Sequence, residues 1–185
     1  ALTNLLEKNP DNTDIPAFIA RAKIQRASEM IRSARRQEAQ KLLKQAEEVF
    51  DLILAKHPDN PALLFRAYET LSYLLRMQGD NPDPELLPKM SQLLEQARKL
   101  VKPEDEKYAD IYMSSAQLAR SQGKIDEAAG YFKTLLEHRI NDPVVRLSYA
   151  NLFGKFPDKR DEAIKLMEMP VIPGAKDVGL KRQLV

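Results

Sequence analysis

The sequence contains no cysteine, which excludes disulfides and thiolate zinc sites and leaves the redox compartment unspecified. No stretch approaches the run of about 18 apolar residues that a membrane-spanning helix requires, so no membrane insertion is expected of this chain. Neither sign of charge is in clear excess, because 29 Lys and Arg residues stand against 27 Asp and Glu residues. The formal net charge of +2 indicates no general affinity for nucleic acids or membrane surfaces.

The sequence also lacks the alternating apolar and polar runs of β-strands, and its hydrophobic spacing is helical. Hydrophobic residues make up 43% of the chain, which is enough for a sizeable core. The chain begins at Ala1 inside a helical pattern, and we interpret it as a fragment of a longer protein. The pattern predicts helices near 1–8, 15–34, 37–57, 61–78, 84–102, 104–121, 125–139, 143–155 and 158–169.

Glycine and proline mark several of the breaks between these helices. Gly79 and Gly123 are expected to end helices in the left-handed conformation that glycine adopts without strain. The break near Arg35-Arg36 has no glycine. Because proline fits poorly inside a helix, Pro88 predicts that the helix near 84–102 is kinked or begins later.

Two kinds of internal repetition are visible. In the first, a helical stretch ends in a short turn with proline, and the closing prolines are 48, 45 and 40 residues apart: Pro10, Pro58, Pro103 and Pro143. In the second, alanine is followed four residues later by a large apolar residue, which places both on one helix face. These pairs are Ala46 with Phe50, Ala128 with Phe132, and Ala163 with Met167. Recurring helix pairs are the mark of a repeat protein.

The segment from Ala109 to Asp142 resembles the tetratricopeptide repeat (TPR) family. An aromatic residue, a small residue, a turn glycine and a small-to-large pair stand at family positions: Tyr112, Ala116, Gly123, Ala128 and Phe132. Two features depart from the family pattern, since Ser115 replaces the usual Leu and Pro143 comes late. The resemblance implies an all-α, right-handed solenoid of antiparallel helix pairs. The repeat lengths also suit HEAT-like repeats, but the closing turns and alanine pairs favour the TPR-like interpretation.

The predicted organisation is a single TPR-like repeat domain over 1–185. Its repeat units are expected near 1–12 (partial), 13–60, 61–103, 104–142, 143–170 and 171–185 (partial). In the family, the first helices of the pairs line a concave groove that binds peptides or partner proteins. The resemblance therefore implies a groove of this kind here.

No catalytic, cofactor or metal motif is found in the sequence. The two histidines, His57 and His138, lie at predicted helix C-termini, where the helix dipole favours a cation, and neither has neighbouring ligands. There is no nucleophile elbow, phosphate loop or dinucleotide fingerprint. We therefore predict a chain that is not an enzyme and that uses no cofactor and no metal.

Positive charge is concentrated in the stretch from Pro16 to Gln45, which has eight basic residues and two acidic ones. A helical wheel at 100° per residue places Arg21, Gln25, Ser28 and Arg32 opposite an apolar stripe of Ile19, Ile24, Ala27, Met30 and Ile31. One interpretation is a solvated face, and the other is a docking surface for an acidic partner. Nucleic acid is not expected, because no aromatic residues are interleaved with the arginines.

The family resemblance also suggests which residues face the groove. Carrying over its positions gives Arg21, Gln25, Glu69, Tyr73, Met113, Gln117, Arg120 and Ser148, to which the basic face adds Arg32. Some family members bind acidic C-terminal tails through Lys and Asn four residues apart. Here that spacing occurs in Lys8 with Asn12 and Lys56 with Asn60, and both pairs straddle a proline. That clamp is therefore not expected.

The predicted function is a non-catalytic scaffold that binds a peptide or partner protein in the groove. The alternative is a structural spacer within a larger enzyme or a secretion or assembly machine, without a ligand of its own. An RNA-associated helical repeat fits less well, because the basic charge is confined to one hairpin. The partner, compartment and oligomeric state are not specified by the sequence.

Overall fold

The computed structural model describes residues 13–78, 83–105, 108–139, 142–154 and 156–169. Within these ranges the chain forms helices and no strand, which confirms the all-α prediction. The predicted helix near 1–8 and the predicted cap at Gly79 lie outside the described residues. The helices are α1 (Asp14–Arg32), α2 (Arg36–Leu54), α3 (Pro61–Gln78), α4 (Leu86–Lys99), α5 (Ala109–Ser121), α6 (Ile125–Arg139), α7 (Pro143–Phe153) and α8 (Pro157–Glu168).

The chain divides into two compact units, Ala1–Leu100 and Val101–Val185. In the first unit each of the helices α1 to α4 packs against the next one in the chain. In the second unit α5 packs on α6, α7 packs on α8, and α7 also contacts α5 and α6. Connections of only a few residues join the helices of each pair, which makes them antiparallel neighbours. The proposed repeat bounds and the single domain over 1–185 remain predictions.

The α1–α2 pair packs closely because small residues line its interface. Pro16, Ala20, Ala27 and Met30 are buried on α1, and Ala39, Leu43, Ala46 and Phe50 are buried on α2. Of the predicted apolar stripe on α1, the three isoleucines are only half-buried. Lys23 lies close to the middle of this stripe and donates a 2.7 Å hydrogen bond to Gln45 Oε1 on α2. Lys23 thus connects α1 and α2 by a hydrogen bond on the helix face for which the helical wheel predicts apolar contacts.

The turn between α1 and α2 ends the first helix without glycine. Ala34 adopts a φ of 61°, in the left-handed region. The Arg35 amide donates to Met30 O at 2.8 Å and the Ala34 amide donates to Ile31 O at 3.1 Å. These two bonds are those of a Schellman turn, which closes the last carbonyls of a helix. The predicted break near Arg35-Arg36 is therefore confirmed, and an alanine occupies the position that glycine usually takes.

Polar caps begin two of the helices as the sequence predicts. Asn60 Oδ1 accepts from the amides of Ala62 and Leu63 at 3.1 and 3.2 Å, ahead of Pro61 in α3. Asp142 Oδ1 accepts from the Val144 amide at 2.9 Å at the start of α7. Each cap satisfies amides that have no partner inside the helix.

The later start that Pro88 predicts for one helix is confirmed, whereas the predicted start of the next helix is wrong. α4 begins at Leu86, after residue 84, so Pro88 falls in its first turn, where its missing amide hydrogen costs nothing. α5 begins at Ala109 rather than at residue 104, because the preceding residues form a turn. In that turn the Asp105 amide donates to Lys102 O at 3.1 Å. Acidic residues after a proline suggest a helix start, but here they belong to the turn.

The core of the second unit is built around aromatic rings. Phe132 of α6 meets both Tyr149 and Phe153 of α7 edge-on, with ring centroids 5.8 and 5.9 Å apart. Ala128 and Ala163 are buried in the same cluster, as their predicted role between close helices requires. Such aromatic pairs stabilise a core beyond the area that they bury.

Candidate functional site

The first unit contains a cavity of about 580 Å³ on the side of α1 and α3. We call it the arginine pocket. Its lining comes from the end of α1, the first residue of α2 and the end of α3: Ser28, Ile31, Arg32, Arg36, Tyr73, Arg76 and Met77. The pocket therefore lies where two helices that are not consecutive in the chain bring their C-terminal ends to one cavity.

Helical spacing places these side chains together. On α3, Arg76 and Met77 follow Tyr73 by three and four residues, so all three lie on one face of the helix. Leu74, which is 1% exposed, holds the neighbouring face of α3 in the core. On α1, Ile31 lies next to buried Met30 and is itself half-buried. The apolar floor of the pocket is thus the edge of the core.

Tyr73 and Arg76 are fixed against each other. The Arg76 guanidinium carbon lies 4.7 Å from the centroid of the Tyr73 ring, in cation–π geometry. Arg76 Nε also donates to Ser72 O at 3.2 Å. These two contacts orient the guanidinium, and its terminal nitrogens make no hydrogen bond to any residue that the structure describes.

Among the residues that the structure describes, the lining of the pocket includes three arginines and neither Asp nor Glu. All three arginines are exposed, and within the described ranges none of them forms an ion pair. The neighbouring Arg35, by contrast, has an acidic partner, because it donates a hydrogen bond to Glu38. That hydrogen bond and the attraction between the two charges hold the pKa of the Glu38 carboxyl below its usual range.

Two of the residues predicted to bind a partner, Arg32 and Tyr73, line the arginine pocket. Arg21 and Gln25 are exposed on α1 and do not line it. Glu69 lies one turn before Tyr73 on α3, where its carboxylate accepts from Arg66 Nη1 at 2.7 Å. The structure therefore brings together only part of the predicted set in the first unit.

The remaining predicted residues belong to the second unit. Met113 of α5 packs against the core cluster of that unit and is half-buried. Gln117 and Arg120 follow it at four and seven residues on the same helix and are exposed. Ser148 of α7 is half-buried. A role for these four residues in binding stays a prediction.

Sequence reasoning missed Arg36, Arg76 and Met77 as pocket residues. For Arg76 a signal was present, because it follows Tyr73 by three residues and so shares its helix face. Arg76 lies outside the basic stretch from Pro16 to Gln45 and belongs to another helix pair. The charge pattern along the chain therefore does not indicate that it joins Arg32 in one pocket.

In the part of the chain that the structure describes, no group of three His, Cys, Asp or Glu side chains is placed to hold a metal ion. The helices there include none with both the length and the apolar composition that crossing a membrane needs. The arginine pocket itself offers guanidinium groups, two hydroxyls and apolar surface. Guanidinium groups and apolar surface suit anions and apolar groups chemically, and the described lining contains no acid–base pair.

No protein-family model matches the chain, and no curated protein matches it. Among solved structures, the chain is similar to a thermophilic TPR protein of Thermus thermophilus, with a TM-score of 0.56 and 17% sequence identity over 88% of this chain and 95% of that one. It is also similar to a point mutant of MamA, with a TM-score of 0.47 and 18% identity over 84% of this chain and 95% of the other.

The class of protein that these observations define is an all-α helical-repeat protein. More particularly, the chain has a TPR-like repeat fold, which confirms the resemblance seen in the sequence. At 17% identity the likeness is one of fold. What the protein binds has to be argued from its own residues.

Proposed function

We propose that this chain is a protein-interaction module that binds an acidic segment of a partner protein in the arginine pocket. The observation that supports it is the described lining of that pocket, in which three arginines and no carboxylate are found. The TPR-like fold suggests a protein partner in general, and the charge of the pocket narrows the choice to an acidic one. On this proposal the chain is a scaffold and catalyses no reaction.

Arginine suits this role for a physical reason. Its planar guanidinium can donate two parallel hydrogen bonds to one carboxylate, which gives orientation as well as energy. Arg32, Arg36 and Arg76 are exposed at the edge of the pocket, so long-range attraction accelerates the encounter with an acidic chain. Charges beside the apolar floor are less screened by water and salt than charges on an open surface are.

The predicted residues outside the pocket enter the proposal differently. Arg21 and Gln25 lie on α1 but outside the pocket lining, so we assign them no direct contact. On α5, Gln117 and Arg120 offer an exposed polar face in the second unit. We propose that face as a separate contact for a partner, with Met113 and Ser148 supporting it from within the packed side.

The first experiment compares short acidic peptides with matched peptides in which Gln replaces each Glu. Binding to the full chain is measured by fluorescence anisotropy at low and physiological salt. We expect the acidic peptides to bind, the Gln peptides to bind much less, and added salt to weaken the acidic complexes. Arg32→Glu and Arg76→Glu should each weaken binding about tenfold or more, since a charged hydrogen bond contributes about 1.5–3 kcal/mol.

Arg21→Glu is the matched control, because it makes the same charge change on α1 outside the pocket lining. Its effect should be small compared with that of Arg32→Glu. Equal losses for both variants would mean that net charge, and not the pocket, attracts the peptide. If acidic and Gln peptides bind equally, or if neither binds, the proposal fails and the spacer alternative gains support.

A further inference from the structure

The floor of the arginine pocket has a feature that charge alone does not explain. Ile31, Tyr73 and Met77 are large apolar side chains, and each of them is only half-buried. They line a cavity of about 580 Å³, which is larger than one side chain. Within the described first unit, no side chain fills this space. Apolar surface that is left open beneath a charged rim is typical of the centre of a binding site.

Resting on the proposed function, we infer that the pocket takes one large apolar side chain of the acidic segment, which lies on Ile31, Tyr73 and Met77 while flanking carboxylates meet the arginines. The occupant is thus a peptide segment with an aromatic, Leu or Met anchor between Asp or Glu residues. This deepens the proposed function by naming the sequence pattern that the pocket selects.

The geometry of α3 supports this arrangement. The Arg76 guanidinium lies over one face of the Tyr73 ring at 4.7 Å, so the ring is held in place from that side. A ring that is fixed before binding loses little conformational freedom when an anchor packs against it. Met77 follows one turn later with a flexible thioether, which adapts to anchors of different shape.

The charges of the pocket favour acidic flanks over a neutral apolar peptide. Three arginines line the pocket, and in the described part of the chain no carboxylate forms an ion pair with them. In an extended peptide, successive residues advance about 3.3 Å, so carboxylates beside the anchor stay near the pocket opening. The three arginines also disfavour basic partners, because binding one would bring like charges together.

The test uses acidic peptides of equal net charge that differ only at the central residue, which is Phe, Leu or Ala. Binding to the full chain is measured by fluorescence anisotropy. We expect the Phe and Leu peptides to bind about tenfold or more tightly than the Ala peptide. Met77→Gln should remove most of this preference but leave the weak binding of the Ala peptide unchanged. Arg32→Glu should weaken all three peptides.

A second measurement is made on the unmodified protein, and a variant serves only to assign one resonance. With methionine methyl groups labelled by carbon-13, the Phe peptide should shift the Met77 resonance upfield through its ring current, and the Leu peptide should not. Met77→Leu assigns that resonance among the six methionines. Thermal melts of each variant check that the fold is kept.

The outcomes separate the two proposals. If Phe, Leu and Ala peptides bind equally and Arg32→Glu still weakens them, recognition is by charge alone. The anchor is then wrong and the proposed function stands. A phosphoserine peptide with a central Ala, matched in net charge to the Phe peptide, that binds as tightly would overturn the anchor in the same way. If no acidic peptide binds, both proposals fail.

Discussion

Ala34 and Gly123 adopt the same left-handed backbone conformation, with φ of 61° and 76°. Each follows the first helix of an antiparallel pair, and each turn has the same two closing hydrogen bonds. In the first turn the Arg35 amide donates to Met30 O at 2.8 Å, and in the second the Lys124 amide donates to Ala119 O at 2.9 Å. The same turn geometry therefore joins the two helices of each pair, with glycine at the left-handed position in one turn and alanine in the other.

Replacing Ala34 with glycine should stabilise the first unit. A left-handed alanine is disfavoured by about 1–2 kcal/mol because its Cβ crowds the following carbonyl. Glycine removes that strain but increases the freedom of the unfolded chain, which returns part of the gain. We expect the free energy of unfolding to rise by about 0.5–1 kcal/mol in urea unfolding followed by circular dichroism.

Gly123→Ala is the matched control, with the opposite sign. A Cβ added at Gly123 meets no atom within 4 Å, so the cost comes from the backbone conformation alone. The variant should lose about 1–2 kcal/mol. Ala34→Gly with no gain, beside a clear loss for Gly123→Ala, would mean that Ala34 does not hold its left-handed conformation in solution.

Enlarging a buried alanine in the second unit should destabilise it. Ala128 and Ala163 are 0% and 2% exposed in the cluster that contains Phe132. Ala128→Phe or Ala163→Phe would force neighbouring helices apart, at a cost of about 1–3 kcal/mol or more. Thermal melts measure the effect. An unchanged melting temperature in both variants would contradict the packing between α6, α7 and α8.

A nearby glycine gives the control for that measurement. Gly130 is exposed in the middle of α6, and a Cβ added there meets nothing within 4 Å. Gly130→Ala should stabilise the same helix by about 0.5–1 kcal/mol, because glycine is a poor helix former. A lower melting temperature for Ala128→Phe and a higher one for Gly130→Ala would show that the loss comes from packing and not from a general sensitivity of α6.

Arg146 should matter for stability because it closes the end of α8. Its side chain is 3% exposed, and its Nη1 donates to Leu166 O at 3.2 Å and to Met169 O at 2.7 Å. A cation at the C-terminus of a helix also interacts favourably with the helix dipole. Arg146→Met keeps the bulk but leaves both carbonyls without this donor, which should cost about 1–3 kcal/mol.

Arg160→Met is the control, since Arg160 is an exposed arginine on α8. Surface substitutions of this kind usually change stability by less than about 0.5 kcal/mol. Similar losses in the two variants would show that the contacts of Arg146 with the α8 carbonyls contribute little.

The sequence predicts the helices well because proline, asparagine and glycine act locally, as at Asn60 and Gly123. The prediction fails at the start of α5, where the acidic residues after Pro103 belong to a turn and not to the helix. The break between α1 and α2 is predicted, but the left-handed conformation of Ala34 is not, because alanine disfavours it.

The arginine pocket could be predicted only in part, for a different reason. Periodicity places Arg32 and Tyr73 on faces of their own helices, and the family resemblance suggested that Tyr73 faces a groove. Neither pattern determines which helix ends meet in space. That depends on how α1, α2 and α3 pack, and this packing brings Arg36 and Arg76 to the same cavity.

The last prediction concerns alkaline pH and the pair of Tyr149 and Glu162. Tyr149 is 2% exposed, and its hydroxyl donates to Glu162 Oε2 at 2.5 Å. Burial first, and then this hydrogen bond and the carboxylate charges of Glu162 and Asp158, raise the pKa of Tyr149 well above its usual value. The folded protein thus keeps the hydroxyl protonated, whereas in the unfolded chain it ionises near pH 10. The contribution of Tyr149 to stability is fully present below about pH 10 and is lost as the pH rises toward the folded-state pKa.

Urea unfolding from neutral pH to about pH 11 should show this loss as a falling free energy of unfolding, and Tyr149→Phe should reduce the slope. At neutral pH the same variant should cost about 0.5–1.5 kcal/mol for the lost hydrogen bond. Tyr73→Phe is the control, because within the described residues no carboxylate accepts a hydrogen bond from the Tyr73 hydroxyl. An alkaline slope that is the same in wild type and Tyr149→Phe would show that other groups, such as the lysines, account for the loss.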